Sequence, residues 1–201
     1  MEICEISKNQ KKLIQSVVNI HLNTFENFFL TFLGRGFLFH MYSSYCEHKD
    51  STLLSALDET GAVIGFVAYS KNMSQLYKHM IKRRLIPFAW YSFWAFIRKP
   101  KIFMRLLRAF LKPSEVARTE KYVEISSIGV AVNEKAKGVG TMLLQEVKRR
   151  VDFSTISYIA LETDAVNNDS VNYFYKKNGF ELVREYETRE GRKMNEYRFR
   201  K

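Results

Sequence analysis

Apolar positions recur along this chain with two periods, and the switches between them mark out its elements. Ile3–Ser7 reads as a short opening strand, and Lys8–Leu22 as a helix with Leu13, Val17, Ile20 and His21 on related turns. Asn23 and Thr24 are candidate caps for a second helix. That helix takes in the aromatic run Phe25–Phe32, breaks at Gly34-Arg35-Gly36 and resumes through Phe37–Tyr45. Leu53–Asp58 and Ala62–Tyr69 form a hairpin around Glu59-Thr60-Gly61. After a long helical stretch come a central strand, Tyr122–Val132, a helix, Gly138–Val151, a strand, Ser157–Thr163, and a helix, Asp169–Lys177. A last strand pair, Glu181–Tyr186 and Met194–Phe199, turns at Glu190-Gly191-Arg192. The pattern predicts an α/β (α+β) domain with about seven strands flanked by helices.

Lys71–Lys121 is long for a connection in a compact domain, yet it is not structureless. It holds two helical patterns divided near Pro100. The second, Ile102–Leu111, sets Leu106, Leu107, Phe110 and Leu111 apart from Arg105, Arg108 and Lys112. Charge singles this stretch out. The formal net charge is +11, and between Glu59 and Glu115 there are 11 Lys or Arg and no Asp or Glu. Elsewhere 21 basic residues balance the 21 acidic ones. A chain basic throughout would point to nucleic acid. A basic block within a neutral domain points instead to a specialised surface, and no nucleic-acid partner is expected.

The 201 residues, 46% of them apolar, suit a single globular domain over 1–201. Cys4 and Cys46 provide neither a disulfide framework nor metal-ligand spacing, so no metal is expected. Met1–Glu5 lacks the basic-then-apolar order of a signal peptide. The longest uncharged apolar run, Leu85–Ile97, has 13 residues and contains Pro87, too short to span a bilayer. The expectation is a cytoplasmic protein.

The most specific chemistry lies in Lys135-Ala136-Lys137-Gly138-Val139-Gly140, between the central strand and the helix after it. A strand feeding a Gly-rich turn that opens a helix binds anions. The glycines let the backbone approach, and the first N–H groups and the helix dipole face the ligand. The turn lacks the Lys-Ser/Thr ending of a P-loop and the glycine spacing of a dinucleotide fingerprint. One strand later comes Asn167-Asn168-Asp169-Ser170-Val171-Asn172-Tyr173-Phe174-Tyr175-Lys176-Lys177-Asn178-Gly179-Phe180. Together the two motifs resemble the GNAT acetyltransferase superfamily. That family carries Gln/Arg-x-x-Gly-x-Gly/Ala and then Asn-x-x-Ala-x-x-x-Tyr-x-x-x-Gly-Phe. Gly138, Gly140, Asn168, Tyr175, Gly179 and Phe180 match; Lys135 replaces Gln or Arg, and Val171 replaces Ala. The resemblance is clear from Val123 to Phe199 and weaker before it. It implies a GNAT-like fold, a mixed twisted central sheet with 71–121 as a helical insertion between the third and fourth strands.

The resemblance also implies acetyl-CoA as co-substrate. Lys135, Ala136, Lys137, Gly138, Val139, Gly140 and Thr141 would hold its pyrophosphate. The two lysines would add charge without the bidentate geometry of Arg. Lys135 and Ala136 depart from the usual Gln/Arg and Gly, which weakens phosphate binding but leaves the backbone donors. The backbone around Val130 and Val132 would pair with the pantetheine as an added strand does. Asn168 would cap its helix or hydrogen-bond the cofactor arm. Tyr175 falls where the family protonates the departing thiolate, and a phenol near pKa ~10 suits a thiolate near ~8.5. Its other reading is a core aromatic, since Val171 and Phe174 share its helical face. Glu124 stands where several members place a general base; otherwise it is a solvated strand residue. Glu162, Asp164 and a water chain are its rivals. His21 has a smaller claim, because it precedes the helix-to-helix turn that lines the acceptor site in the family.

The expected activity is transfer of acetyl to a primary amine by direct attack in a ternary complex, since no cysteine sits near the motifs. The expected acceptor is a small-molecule amine. Gly191–Tyr197 further resembles GNAT-like proteins of bacterial surface-polysaccharide loci, which implies an amino sugar. Two other readings stand: a non-catalytic acyl-CoA-binding module, and a protein- or ribosome-associated N-acetyltransferase docking through its basic segment. Segment 71–112 itself reads three ways: a peripheral contact with the inner face of the membrane, a lid over the acceptor, or a homodimer contact.

Overall fold

Seven strands form one sheet: β1 (Glu2–Glu5), β2 (Ser51–Leu57), β3 (Val63–Ser70), β4 (Tyr122–Val130), β5 (Tyr158–Asp164), β6 (Glu181–Glu187) and β7 (Lys193–Phe199). Their order across it is β1-β2-β3-β4-β5-β7-β6, and all neighbours are antiparallel except β4 and β5. This computed structural model describes residues 1–25, 28–98, 100–101, 104, 120–134, 138–188 and 191–201, without the side chain of Phe29. Five helices accompany the sheet among them: α1 (Lys11–Thr24), α2 (Phe29–Glu47), α3 (Met73–Arg98), α4 (Val139–Arg150) and α5 (Asp169–Lys177).

Strand periodicity sends alternate side chains to opposite faces, so the sheet carries a core on each side. On one side Leu54, Val67, Val123 and Ile159 meet Val139, Leu143, Leu144 and Val147 of α4, spaced i, i+4, i+5 and i+8 along one helical stripe. On the other, Leu53, Phe66 and Ala68 meet Ile14, Val17 and Val18 of α1 and Leu38 and Tyr42 of α2. Each fully buried Leu, Ile, Val or Phe contributes about 1.5–3 kcal/mol of transfer free energy. The last turn of α4 holds Lys148, Arg149 and Arg150, cations at the negative end of the helix dipole.

Several element boundaries differ from the sequence pattern. α1 starts at Lys11, because Ser7–Gln10 form a turn in which the Ser7 N–H donates to Gln10 Oε1 at 2.8 Å. β4 ends at Val130, and Val132–Glu134 form a single 3₁₀ turn. The break predicted at Gly34 is present: Gly34 has φ 87°, a left-handed conformation that glycine tolerates. Gly36 admits α3, since a Cβ there would lie 2.1 Å from the Tyr91 ring. α3 itself runs on through Pro87 to Arg98. The proline ring and missing N–H disturb the preceding turn, and the one non-helical residue, Arg84 (φ −137°), lies there. The second helical pattern, Ile102–Leu111, lies outside the described residues apart from Met104.

Candidate active site

β4 and β5 pair only from Tyr122 to Ile125 and from Tyr158 to Leu161. Beyond that, β4 stays with β3 as far as Val130 opposite Gly65, while β5 stays with β7 as far as Asp164 opposite Met194. The two parallel strands therefore part. A cavity of about 890 Å³ lies along the opening and is lined from both faces of the sheet. β4 also carries one extra residue, Ser126, because Ser127 pairs Ala68 and Ile125 pairs Tyr69. This bulge reverses the strand's alternation: Ile125 and then Ile128 face the α4 side.

One wall of the cavity is the start of α4. Gly138 stands at its N-cap in the left-handed region, φ 83°, and a Cβ there would meet nothing within 4 Å. Gly138, Val139, Gly140 and Thr141 all line the cavity, as does Val130. Gly140 is needed for space, since a Cβ would come within 3.0 Å of Phe174. Lys135, Ala136 and Lys137 lie outside the described residues. Val132 is exposed on the 3₁₀ turn and does not line the cavity. The Val130 carbonyl accepts the Thr24 hydroxyl at 3.3 Å.

α5 brings Tyr175 to the same cavity. Its ring is wedged among Phe174, Phe180 and Tyr197, and the residue is 6% exposed. Burial raises its phenol above the ordinary value, so it keeps its proton at neutral pH. Asn172 anchors this helix. Its amide nitrogen donates to the carbonyls of Asp164 (3.0 Å) and Asn168 (2.9 Å), and its oxygen accepts Asn195 Nδ2 (2.9 Å) and the Tyr197 hydroxyl (3.0 Å). Asn168 holds the N-cap position but makes no side-chain cap. Its amide turns back to Thr163 Oγ1 (2.8 Å) and the Asp164 carbonyl (3.1 Å), at the cavity's edge.

The opposite wall comes from α1 and the chain after it. His21, Thr24, Phe25 and Phe28 line the cavity there. His21 is 3% exposed, and its Nδ1 lies 2.6 Å from the Tyr42 hydroxyl, which donates to Ser127 Oγ at 3.2 Å. Nδ1 is the ring nitrogen paired with Tyr42. Nε2 is buried without a hydrogen-bond partner among the described residues. Desolvation lowers the imidazole pKa to about 4, so the ring is neutral at physiological pH.

Three carboxylates matter here. Glu162 and Asp164 on β5 line the cavity. Glu162 accepts the Tyr186 hydroxyl at 2.8 Å, and Asp164 is held by Arg192, whose Nη2 lies 2.6 Å away. Glu124 precedes the bulge and is not among the lining residues. It lies toward α2 and α3 near Tyr45 and Tyr77, and the Tyr122 hydroxyl donates to it at 3.4 Å. Arg192 also lines the cavity and stacks 5.0 Å from Phe28. Arg192 carries no local signal in the sequence, because its partner Asp164 is 28 residues away.

The fold is shared with acetyltransferases. An aminoglycoside 6′-acetyltransferase of type Ii superposes with a TM-score of 0.65 at 13% identity, covering 100% of this chain and 97% of the other. A ribosomal-protein-alanine N-acetyltransferase from Brucella melitensis gives 0.60 at 16% identity, with both chains covered completely. A Bacillus anthracis protein assigned as a streptothricin acetyltransferase, solved with acetyl coenzyme A, gives 0.51 at 18%, covering 80% and 68%. At these identities the likeness is one of fold. No curated protein sequence matches the chain. The sequence pattern of the acetyltransferase (GNAT) family does match it, over residues 15–180. The chain belongs to the GNAT acetyltransferase family.

Proposed function

We propose that the protein transfers the acetyl group of acetyl-CoA to a primary amine by direct attack in a ternary complex. The observation that carries this reading is the parting of β4 from β5, with a glycine-led helix start and a buried tyrosine on one cavity and a second, aromatic wall facing them. The backbone N–H groups of Gly138–Thr141 suit a pyrophosphate, and the open space beside Gly138 leaves room for it. The opposed wall suits the amine. Tyr175, protonated at neutral pH and lining the cavity, supplies a proton to the departing thiolate. His21 Nε2, buried without a partner among the described residues, is a polar atom that a group of the acceptor can pair with. Neither cysteine lines the cavity, and burial pushes the Cys46 thiol up to about 12, which favours direct transfer over an acetyl-cysteine.

The amine's proton leaves to a carboxylate: Glu162 borders the cavity, and Glu124 stands on the neighbouring strand. We read the acceptor as an amino sugar. Phe25 and Phe28 offer faces for the apolar side of a sugar ring, and Glu162 and Asp164 offer acceptors for hydroxyls. The neighbouring structures bear names with unlike acceptors, an aminoglycoside and a ribosomal-protein alanine, so the fold alone does not choose.

Thiol release from acetyl-CoA, measured against amino sugars, polyamines, lysine and peptide N-termini, tests the reading. Turnover with an amino sugar and not with peptides supports it. Tight acetyl-CoA binding with no turnover on any amine would make the protein an acyl-CoA-binding module instead. The pH profiles of Glu162→Gln and Glu124→Gln assign the base, which is the residue whose loss removes the acidic limb of kcat.

A further inference from the structure

Among the described residues, α3 has one side packed on the domain and one side that is exposed. Its 26 residues span about 39 Å at 1.5 Å per residue. Leu76, Met80 and Ala95 are buried, Phe88 packs 4.6 Å from Phe37, and Tyr91 fills the space over Gly36. On the far side Ile81, Leu85, Ile86, Trp90, Phe93 and Ile97 recur at helical spacing and are all exposed, Ile86 by 82% and Trp90 by 58%. Scattered exposed apolar residues are ordinary, but a contiguous stripe of this length marks an interaction surface.

The charges beside the stripe select its partner. Lys82 and Arg83 lie along one part of the helix and Arg98 at its end, all exposed. No Asp or Glu occurs from residue 60 to residue 114. Arg84, by contrast, is turned inward to Glu47 and His40. Two copies meeting face to face on this stripe would bring like cations together with no carboxylate of the segment between them. An anionic surface meets both features at once: phosphates for the cations and an apolar boundary for the rings. Trp90 and Trp94, packed edge to face at 5.8 Å, are the amphipathic rings that such a boundary accommodates. Among the described residues no helix is long and apolar enough to cross a membrane, so this is a surface that lies on a bilayer rather than through it.

We propose that the outward face of α3 docks on an anionic lipid bilayer, with Trp90, Phe93 and Ile97 at the acyl boundary and Lys82, Arg83 and Arg98 on lipid phosphates. α3 rests on α2, whose first turn contributes Leu30 to the cavity, so docking holds the cavity near the lipid surface. The inference does not depend on the acetyl-transfer reading and stands or falls separately from it.

Co-sedimentation of the full chain tests it. The vesicles are phosphatidylcholine alone, or equal parts phosphatidylcholine and phosphatidylglycerol. The protein should pellet with the mixed vesicles, and release should follow added salt. Lys82→Gln/Arg83→Gln/Arg98→Gln should bind the mixed vesicles on the order of a hundredfold more weakly, about fivefold per cation removed. Trp90→Ser/Phe93→Ser should lose binding while retaining the wild-type melting temperature, since both side chains already face outward. Protein that stays in the supernatant at low salt overturns the proposal. So does light scattering that shows a dimer abolished by the Trp90→Ser/Phe93→Ser change, which would give the face to a second copy.

Discussion

The imidazole Nδ1 of His21 lies 2.6 Å from the Tyr42 hydroxyl, and the two residues are 21 positions apart on different helices. The contact pairs Nδ1 and leaves Nε2 buried without a hydrogen-bond partner among the described residues. It also carries a cost in acid. In the unfolded chain His21 titrates near its ordinary ~6.5, whereas in the folded protein burial holds it at about 4. Between these values the unfolded state binds a proton that the native state refuses, so stability rises with pH across that window. The contribution is complete above about 6.5 and is lost as the pH falls through 4, roughly 3 kcal/mol in all. We expect the stability gap between wild type and His21→Asn, measured by urea unfolding, to shrink by that order from pH 7 to pH 4. A gap independent of pH would show that His21 is not held neutral by burial.

Asn172 concentrates four hydrogen bonds in one side chain, joining α5 to β5 and β7. Asn172→Ala orphans buried partners on both, and a loss on the order of 2–4 kcal/mol is expected. For a chain of this size that lowers the melting temperature by about 10 °C. Adding Tyr197→Phe removes one of the orphaned donors, so the double variant should be less destabilised than the sum of the single ones. Strict additivity would mean that Tyr197 and Asn172 are not coupled.

Much of this arrangement is legible in the sequence because each piece has its own local signal. The change from alternating to helical period separates β4 from α4, and Gly34 announces the kink in α2 through the one conformation it alone adopts easily. The bulge at Ser126 has no such signal: Ile125-Ser126-Ser127-Ile128 reads as ordinary strand, and only pairing with β3 shows the extra residue. Because the bulge resets the alternation after Glu124, strand position alone could not tell which β4 side chains border the cavity. α3 is legible as the first of the two helical patterns before Pro100, although one local signal argues against it. Pro87 sits inside a helix that packing on α2 sustains, whereas local rules would end it. Asp164 and Arg192 meet only because β5 and β7 are neighbours.

Gly138 lets two effects be separated. Its φ of 83° means that any side chain adds backbone strain, and Gly138→Ala should cost about 1 kcal/mol of stability for that reason. The alanine methyl meets no atom within 4 Å, so acetyl-CoA should still raise the melting temperature of this variant. Gly138→Glu adds length and negative charge to the same strain. We expect acetyl-CoA to leave its melting temperature unchanged. Equal ligand shifts in the two variants would remove the pyrophosphate from this helix start.

Tyr175 is the residue at which packing and chemistry can be told apart most cleanly. Its ring fills space among Phe174, Phe180 and Tyr197, so Tyr175→Phe keeps every ring contact and removes one oxygen. If the residue only packs, the variant should be as stable and as active as the parent. If its hydroxyl protonates the departing thiolate, kcat should fall by about 10²–10⁴-fold while the acetyl-CoA Kd stays the same. The loss should also depend on the leaving group. A thiol of lower pKa needs less help to depart, so an acetyl donor with a more acidic thiol should recover part of the rate in the Phe variant and gain little in the parent. Because burial raises the phenol, the parent should show no basic limb in kcat from Tyr175 below pH 10. Steady-state rates with two acetyl donors across pH 6–10, for parent and variant, decide it. Near-normal turnover in Tyr175→Phe would leave the tyrosine as part of the core and move the search for the acid elsewhere on the cavity wall.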